Sequence, residues 1–182
     1  MADEQDVQYL DDEPKTGVTP GRVLGVIAFI AITIWWIYVF ANGSSVEHPD
    51  DFEDASWTAD AELICAARQQ AILDLPTATS AVTPQARADL VDLATAELDR
   101  MLREIDALGL PATDKGAEIV PRWLVDYELY LQDRRDWATV LRTGDDPPFL
   151  VSGTADGVRV TDLLTTFAEV NEMPSCAPSG DV

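Results

Sequence analysis

The sequence predicts a mainly α-helical protein, with one N-terminal transmembrane helix and a small extracytoplasmic bundle of about four helices. Three observations predict this class. One uncharged apolar run is long enough to cross a membrane. Apolar residues then recur at helical spacing in four later segments, and Pro, Gly and Thr stand at the ends of those segments. The part beyond the apolar run has the length of one ordinary domain.

The apolar run covers residues 23–41 and contains no charged side chain. At about 1.5 Å per residue, a helix of this length crosses a hydrocarbon core of about 30 Å. Trp35, Trp36 and Tyr38 stand near its C-terminal end, where aromatic side chains favour the membrane interface. We therefore predict a single-pass protein that contacts membrane lipid through residues 23–41.

The orientation follows from the basic residues beside this run. Lys15 and Arg22 precede it, and the next basic residue after it is Arg68. Because basic residues favour the cytoplasmic side, we expect a cytoplasmic N-terminus and an extracytoplasmic C-terminal part in the plasma membrane. A cleaved signal peptide is the alternative, since residues 39–41 resemble a cleavage site. The length of the run and its bulky aromatic end favour an anchor.

Composition divides the rest of the chain. Residues 1–22 are predicted to be a disordered acidic cytoplasmic tail, and residues 42–57 an acidic linker that acts as a solvated spacer. Residues 58–176 are predicted to form the helical domain, and residues 177–182 a short tail.

Four helices are predicted within the domain. The first covers about 58–75, and the second begins at Pro84 after Thr83 as N-cap and ends before Gly109. The third covers about 118–142, and the fourth begins at Thr161, which is predicted to be its cap. Pro121 is assigned to the first turn of the third helix. A weak hairpin is predicted between the last two helices. The apolar face of the first helix is predicted to comprise Leu63, Ile64, Ala67, Ala71 and Leu75.

The charge and the single histidine exclude several functions. The chain has 33 acidic and 12 basic residues, a net charge of −21, so nucleic acid is not an expected partner. The one histidine, His48, lies in the acidic linker. A histidine-based triad or a histidine-rich metal site is therefore not expected. We predict no catalytic residue, no metal site and no cofactor.

The two cysteines, Cys65 and Cys176, both follow the apolar run and are predicted to form a disulfide outside the cytoplasm. The bond would close a loop of about 110 residues and stabilise the domain by up to ~4.7 kcal/mol. The alternative is a small buried Cys65 and a free thiol at Cys176.

Two charged residues interrupt apolar faces. Glu97 on the second helix and Arg134 on the third come level if these helices are antiparallel, with Tyr130 beside them. This predicts a buried polar network of Glu97, Tyr130 and Arg134. The alternative is that Arg134 extends to solvent and pairs with Asp133 or Asp136.

The third helix also carries aromatic residues at helical spacing. Trp123, Tyr127 and Trp137, together with Tyr130, fit the interior of a small bundle. The same side chains would also suit one wall of a ligand groove.

Two segments carry a resemblance to known proteins. The segment Asn171–Cys176 after an amphipathic helix, and the run Leu131–Trp137, are similar to actinobacterial single-pass envelope proteins with no assigned activity. The resemblance covers most of residues 58–178 and implies only a bacterial envelope location and this layout.

Two classes of function fit these features. The first is an interaction or structural module that binds a protein partner in the envelope, such as an accessory subunit of an envelope or respiratory membrane complex. The second is a small-ligand binder with a cavity between helices. A filled core with an exposed apolar patch would favour the first, and a concave cavity with converging polar groups would favour the second.

Overall fold

The computed structural model describes residues 20–42 and 48–180, which are mainly helical. In these residues α1 covers Pro20–Asn42, α2 Ala55–Leu73, α3 Pro84–Ala107, α4 Asp114–Arg142 and α5 Val160–Val170. Short 3₁₀ turns lie at Ala78–Ser80 and Pro174–Cys176. The predicted helical class is therefore confirmed. Between α4 and α5 the described chain has an isolated antiparallel bridge, Gly153 to Arg159, in place of the predicted hairpin.

Helix α1 contains the predicted apolar run. Its residues 20–40 are long and apolar enough to cross a membrane, and the described side chains are not buried within the structure. Trp36 stacks on Phe40 with a ring-centroid distance of 5.4 Å, and Trp35 and Tyr38 are exposed. The chain divides into two compact units, of which one contains α1 and the other α2 to α5. The predicted disordered tail, apart from residues 20–22 at the start of α1, lies outside the described residues.

Helices α3 and α4 form the centre of the second unit and run antiparallel. Arg135 of α4 pairs with Asp99 of α3, and the later Arg142 pairs with the earlier Asp92. The start of α3 is as predicted, because the Thr83 hydroxyl accepts a hydrogen bond from the Ala86 amide at 3.2 Å. Helix α2 packs on α3, and α5 packs on α4.

The start of α4 differs from the prediction. Thr113 is its N-cap and accepts a hydrogen bond from the Gly116 amide at 3.1 Å, so the helix begins at Asp114. Pro121 therefore lies inside the helix and not in its first turn. The start of α5 is also corrected, since its N-cap is Arg159 and Thr161 lies within the helix. The local sequence near Pro121 and near Thr161 did not by itself identify the residue that serves as N-cap of each helix.

The buried face of α2 is also not the predicted one. Leu63 is exposed, whereas the buried residues are Trp57, Ala61, Cys65 and Ile72. Apolar residues occur on two faces of this helix, so spacing alone does not identify the buried face. Contacts distant in sequence decide it, including the hydrogen bond from Trp57 Nε1 to the Gly109 carbonyl at 2.9 Å.

The segment before α2 contradicts the prediction of a solvated spacer over residues 42–57. Phe52 is only 2% exposed and packs between Trp57 and Phe167, with centroid distances of 5.6 and 6.0 Å. The Asp54 carboxylate caps α2 by accepting from the Trp57 amide at 3.2 Å. We call residues 50–54 the strap. The folded domain thus begins before residue 58, and residues 43–47 of the predicted linker lie outside the described residues.

The core is aromatic at one end and aliphatic at the other. At the aromatic end Trp123 stacks on Phe167 with a centroid distance of 5.0 Å, and the ring of Tyr127 meets Trp123 edge-on. At the other end a smaller cluster of Ala88, Val91, Ala138 and Leu141 fills the space between α3 and α4.

Gly116 provides the close approach between the strap and α4, and we expect Gly116→Ala to destabilise the domain. A Cβ at this position would lie 2.7 Å from Pro111 Cβ and 2.8 Å from Phe52 Cδ2. Overpacking of this kind costs about 1–3 kcal/mol, partly offset by the better helix propensity of alanine. Urea unfolding of the full-length chain in detergent micelles should show a net loss of about 1–2 kcal/mol. The control is Gly153→Ala, whose nearest contact would be an ordinary 3.5 Å; equal losses in both variants would contradict the prediction.

Candidate functional site

Arg134 is the most unusual residue of the core, because its guanidinium group is fully buried. Its Nε donates a hydrogen bond to Thr95 Oγ1 at 2.9 Å, and an Nη donates to the Tyr130 hydroxyl at 3.0 Å. The Tyr130 hydroxyl in turn donates to the Ser179 carbonyl at 3.4 Å. Burial of a charged group is costly unless hydrogen bonds replace water, and these bonds supply part of that replacement. The predicted contact between Tyr130 and Arg134 is present, whereas the alternative of a solvent-exposed Arg134 is wrong.

Glu97 is not part of this network, so the predicted set of three residues is corrected. Its carboxylate pairs with Arg68 of α2 at 3.4 Å and with Arg100 of its own helix. Arg68 also pairs with Glu104 at 2.8 Å, and the hydrogen bonds that its guanidinium group donates to the Glu104 carboxylate raise the pKa of Arg68. At 100° per residue, Glu97 lies about 200° around the helix axis from Thr95. Thr95 therefore faces Arg134, and Glu97 faces α2.

We expect Thr95→Val to destabilise the domain by about 1–3 kcal/mol, although the two side chains have the same shape. The Thr95 hydroxyl accepts from Arg134 and donates to the Val91 carbonyl at 2.7 Å. Valine would leave the buried Nε of Arg134 without this acceptor. Chemical unfolding of the full-length chain measures the loss, and Thr95→Ser, which keeps the hydroxyl, is the control. A smaller loss of stability in Thr95→Val than in Thr95→Ser would contradict this prediction.

The aromatic residues do not form one ligand groove. Trp123 and Tyr127 are buried in the core, which agrees with the interior alternative of the sequence analysis. Trp137 lies at the edge of the bundle, where its Nε1 donates to the Pro147 carbonyl at 2.9 Å and its ring packs on Phe149. Trp137 lines a depression of about 440 Å³, and Trp123 lines a separate one of about 160 Å³. Among the described cavities, none joins all three predicted groove residues.

Cys65 and Cys176 are joined as the sequence predicted. Their sulfur atoms lie at bonding distance, with 5.0 Å between the Cα atoms, and both residues are fully buried. The bond attaches the C-terminal segment to α2. The contact with α2 continues into the predicted tail, residues 177–182, because Gln69 Nε2 donates to the Ala177 carbonyl at 3.0 Å.

An apolar cleft is the feature that the sequence did not indicate. It has a volume of about 250 Å³ and lies between the C-terminal end of α2, the turn that follows, and α3. Leu73 stands at its edge with 74% of its surface exposed. We call this the α2–α3 cleft, and it is lined by Gln69, Ile72, Leu73, Leu75, Pro76, Thr77, Ala78, Leu90, Ala94, Ser179 and Gly180. These walls are mostly aliphatic, so the cleft can accept an apolar group and offers little to orient a polar one.

The size of the cleft bears on what it could hold. Small-molecule sites usually enclose about 300–1,000 Å³ and present several converging polar groups. The α2–α3 cleft is smaller than this range, and no charged side chain lines it among residues 48–180. It has the size of one or two aliphatic side chains.

Two carboxyl groups with shifted pKa values lie away from the cleft. The pKa of Asp54 is lowered, chiefly by the hydrogen bond that its carboxylate accepts from the Ala112 amide. Burial raises the pKa of Asp126, which stands beside Trp123 in the smaller depression. Across residues 20–42 and 48–180 no group of three or more histidine, cysteine or acidic side chains is arranged to hold a metal ion.

Comparisons with known proteins provide no further assignment: no family model, curated protein or solved structure matches this chain. The similarity to actinobacterial envelope proteins therefore stays a prediction. Any function must be argued from the residues of the domain itself.

Proposed function

We propose that this protein is a single-pass plasma-membrane protein whose extracytoplasmic helical domain binds a protein partner in the envelope. In this role it would be an accessory or structural subunit of an envelope or respiratory membrane complex. The observation that carries the proposal is the α2–α3 cleft, an apolar surface with the exposed Leu73 at its edge.

The membrane part of the proposal is supported by three features. Helix α1 is long and apolar enough to cross a membrane. Lys15 and Arg22 precede its apolar residues, which favours a cytoplasmic N-terminus. The bonded pair Cys65 and Cys176 suits an oxidising compartment, where disulfides form and persist. Together these features favour an extracytoplasmic position for the second unit.

The interaction part is supported by the shape of the α2–α3 cleft. An exposed leucine at the edge and aliphatic walls inside resemble the apolar centre of a protein interface. The volume suits one or two apolar side chains of a partner better than a free ligand. We therefore favour a partner protein that inserts an aliphatic side chain between Leu73 and Leu90.

Orientation can be tested with reporters fused after residue 182. We expect alkaline phosphatase, which folds only outside the cytoplasm, to be active in this position, and green fluorescent protein to be dark. Fluorescence without phosphatase activity would mean that the C-terminal part lies in the cytoplasm, and would contradict the proposed orientation. A matched fusion after Arg22, before the apolar run, should give the opposite pair of signals.

Partner binding can be tested by extracting the full-length protein from its native membrane in mild detergent and identifying what copurifies by mass spectrometry. We expect a stoichiometric partner that is lost in Leu73→Glu and retained in Val82→Glu. Val82 is 97% exposed and does not line the cleft, so it is a matched apolar-to-acidic control. Copurification of the same partner with both variants would contradict the role of the cleft, and the absence of any partner would contradict the proposed function.

A further inference from the structure

We propose that the strap is a releasable clasp that Asn171 holds against the domain and that the Cys65–Cys176 bond strengthens. This inference goes beyond partner binding. The clasp itself depends only on contacts within the second unit. Its effect on the reach of the domain rests on the proposed membrane anchoring.

Asn171 contacts the strap from one side. This side chain is buried at the C-terminal end of α5. Its Nδ2 donates to the carbonyl groups of Asp50 and Phe167, each at 2.9 Å, and its Oδ1 accepts from the Phe52 amide at 3.3 Å. A single amide group therefore joins two strap residues to the last turn of α5.

The connection between α3 and α4 contacts the strap from the other side. The Thr113 hydroxyl donates to the Phe52 carbonyl at 2.9 Å, and the Ala112 amide donates to the Asp54 carboxylate at 2.8 Å. The strap is thus held between two elements that are far from it in sequence. The Asp50 carbonyl and both backbone polar groups of Phe52 are satisfied by these side chains and not by a helix or a sheet.

The strap has the composition of a segment that can open locally. Phe52 is its one buried side chain, and Glu53 is exposed. Segments with few buried apolar contacts open at a lower free energy than the helices they cover. Loss of the Asn171 contacts should therefore make opening of the strap more frequent while α3 and α4 stay folded.

The disulfide lies five residues beyond Asn171 along the chain. From Asn171 the chain passes through the buried Met173 to the turn that contains Cys176, and this turn contacts both α5 and α2. The bond to Cys65 is the covalent link between this segment and α2. Breaking it gives the C-terminal segment, and Asn171 with it, more freedom to move away from the strap.

Release would lengthen the connection between the membrane helix and the domain. When the strap is docked, the chain is held from His48, whose carbonyl accepts from Lys115 Nζ at 3.3 Å, and when the strap is released, the chain is held from Ala55. The seven residues 48–54 span at most about 23–25 Å when extended, at 3.3–3.6 Å per residue. A membrane-anchored domain would reach a partner at a correspondingly greater distance from the anchor.

Amide hydrogen exchange of the full-length chain in detergent micelles tests the clasp. In Asn171→Ala we expect exchange at Phe52 and Glu53 to accelerate about tenfold, the factor that a loss of one to two hydrogen bonds produces. Exchange at Leu98 and Met101 in the core of α3 should not change. Gln69→Ala is the control, because it removes the bond to the Ala177 carbonyl and leaves the strap contacts in place.

Two results would overturn the clasp. One is unchanged exchange in the strap of Asn171→Ala. The other is an equal acceleration in the strap and in α3, which would mean that the strap opens only when the whole domain unfolds. The double variant Cys65→Ser, Cys176→Ser gives a second test, which can be made even if Asn171→Ala does not fold. In it we expect faster exchange at Met173 and at Phe52, and faster exchange at Met173 alone would overturn the role of the bond.

This experiment needs no partner and no membrane orientation. A failure of the clasp would therefore leave the proposed function standing, and a failure to find a partner would leave the clasp standing.

Discussion

Replacing Cys65 and Cys176 together with alanine should lower the free energy of unfolding of the helical domain by about 2–4 kcal/mol. The two residues are separated by 111 positions, so the bond restricts a large part of the unfolded chain. Loop-closure entropy for a loop of about 100 residues gives an upper value of ~4.7 kcal/mol, and measured effects are often smaller. Urea unfolding of the full-length chain in micelles, followed by far-UV circular dichroism, measures the difference.

Two controls distinguish the contribution of the disulfide bond to stability from the effect of removing two buried sulfur atoms. A dithiol reductant added to the wild-type chain in urea should shift its unfolding midpoint toward that of the double variant. The same reductant should leave the double variant unchanged, since it has no disulfide. If alanine at both positions lowered the stability by less than 0.5 kcal/mol, about the scatter of neutral surface changes, the bond would not contribute as we expect.

The sequence predicted those features that depend on local chemistry. The start of α3 could be identified because Thr83 and Pro84 supply a cap and a preset backbone angle within two residues. Its end could be identified because Gly109, with a φ of 78°, adopts a backbone conformation that favours glycine. The apolar residues 23–41 were evident for the same reason, since length and absence of charge are local properties.

The features that were missed depend on contacts between distant segments. Phe52 lies in an acidic stretch, and its burial requires Asn171, which is 119 positions away. Composition within the stretch therefore predicted a solvated spacer. The choice between Glu97 and Thr95 also depends on distant contacts. Both residues come level with Arg134 along the helix pair, and only the rotation of α3 about its axis decides which one faces Arg134.

The candidate site was also beyond reach of the sequence. The α2–α3 cleft is built by α2, the turn after it, α3, and the C-terminal residues Ser179 and Gly180. No one of these segments carries a recognisable motif, and Leu73 was not on the predicted apolar face of its helix. The aromatic spacing of α4, in contrast, was informative but equally compatible with a core or a groove, and packing against Phe167 and Phe149 decided between them.

Phe52→Ala should lower the free energy of unfolding by about 3–5 kcal/mol, the usual cost of removing a buried phenylalanine side chain. The ring packs against Trp57 and Phe167 and rests on Gly116, so alanine would leave a cavity at the aromatic end of the core. A residue of a solvated spacer would change stability by less than about 0.5 kcal/mol, so the measurement distinguishes the two descriptions of this segment. Urea unfolding of the full-length chain in micelles provides it.

Leu150→Ala is the matched control, because this loop leucine is 77% exposed and its removal should leave stability nearly unchanged. Phe52→Leu should lie between wild type and Phe52→Ala, since it refills part of the cavity. Equal stability of Phe52→Ala and Leu150→Ala would mean that the strap contributes nothing to the folded domain. A large loss in Phe52→Ala alone would mean that the docked strap stabilises the helical domain through the burial of Phe52.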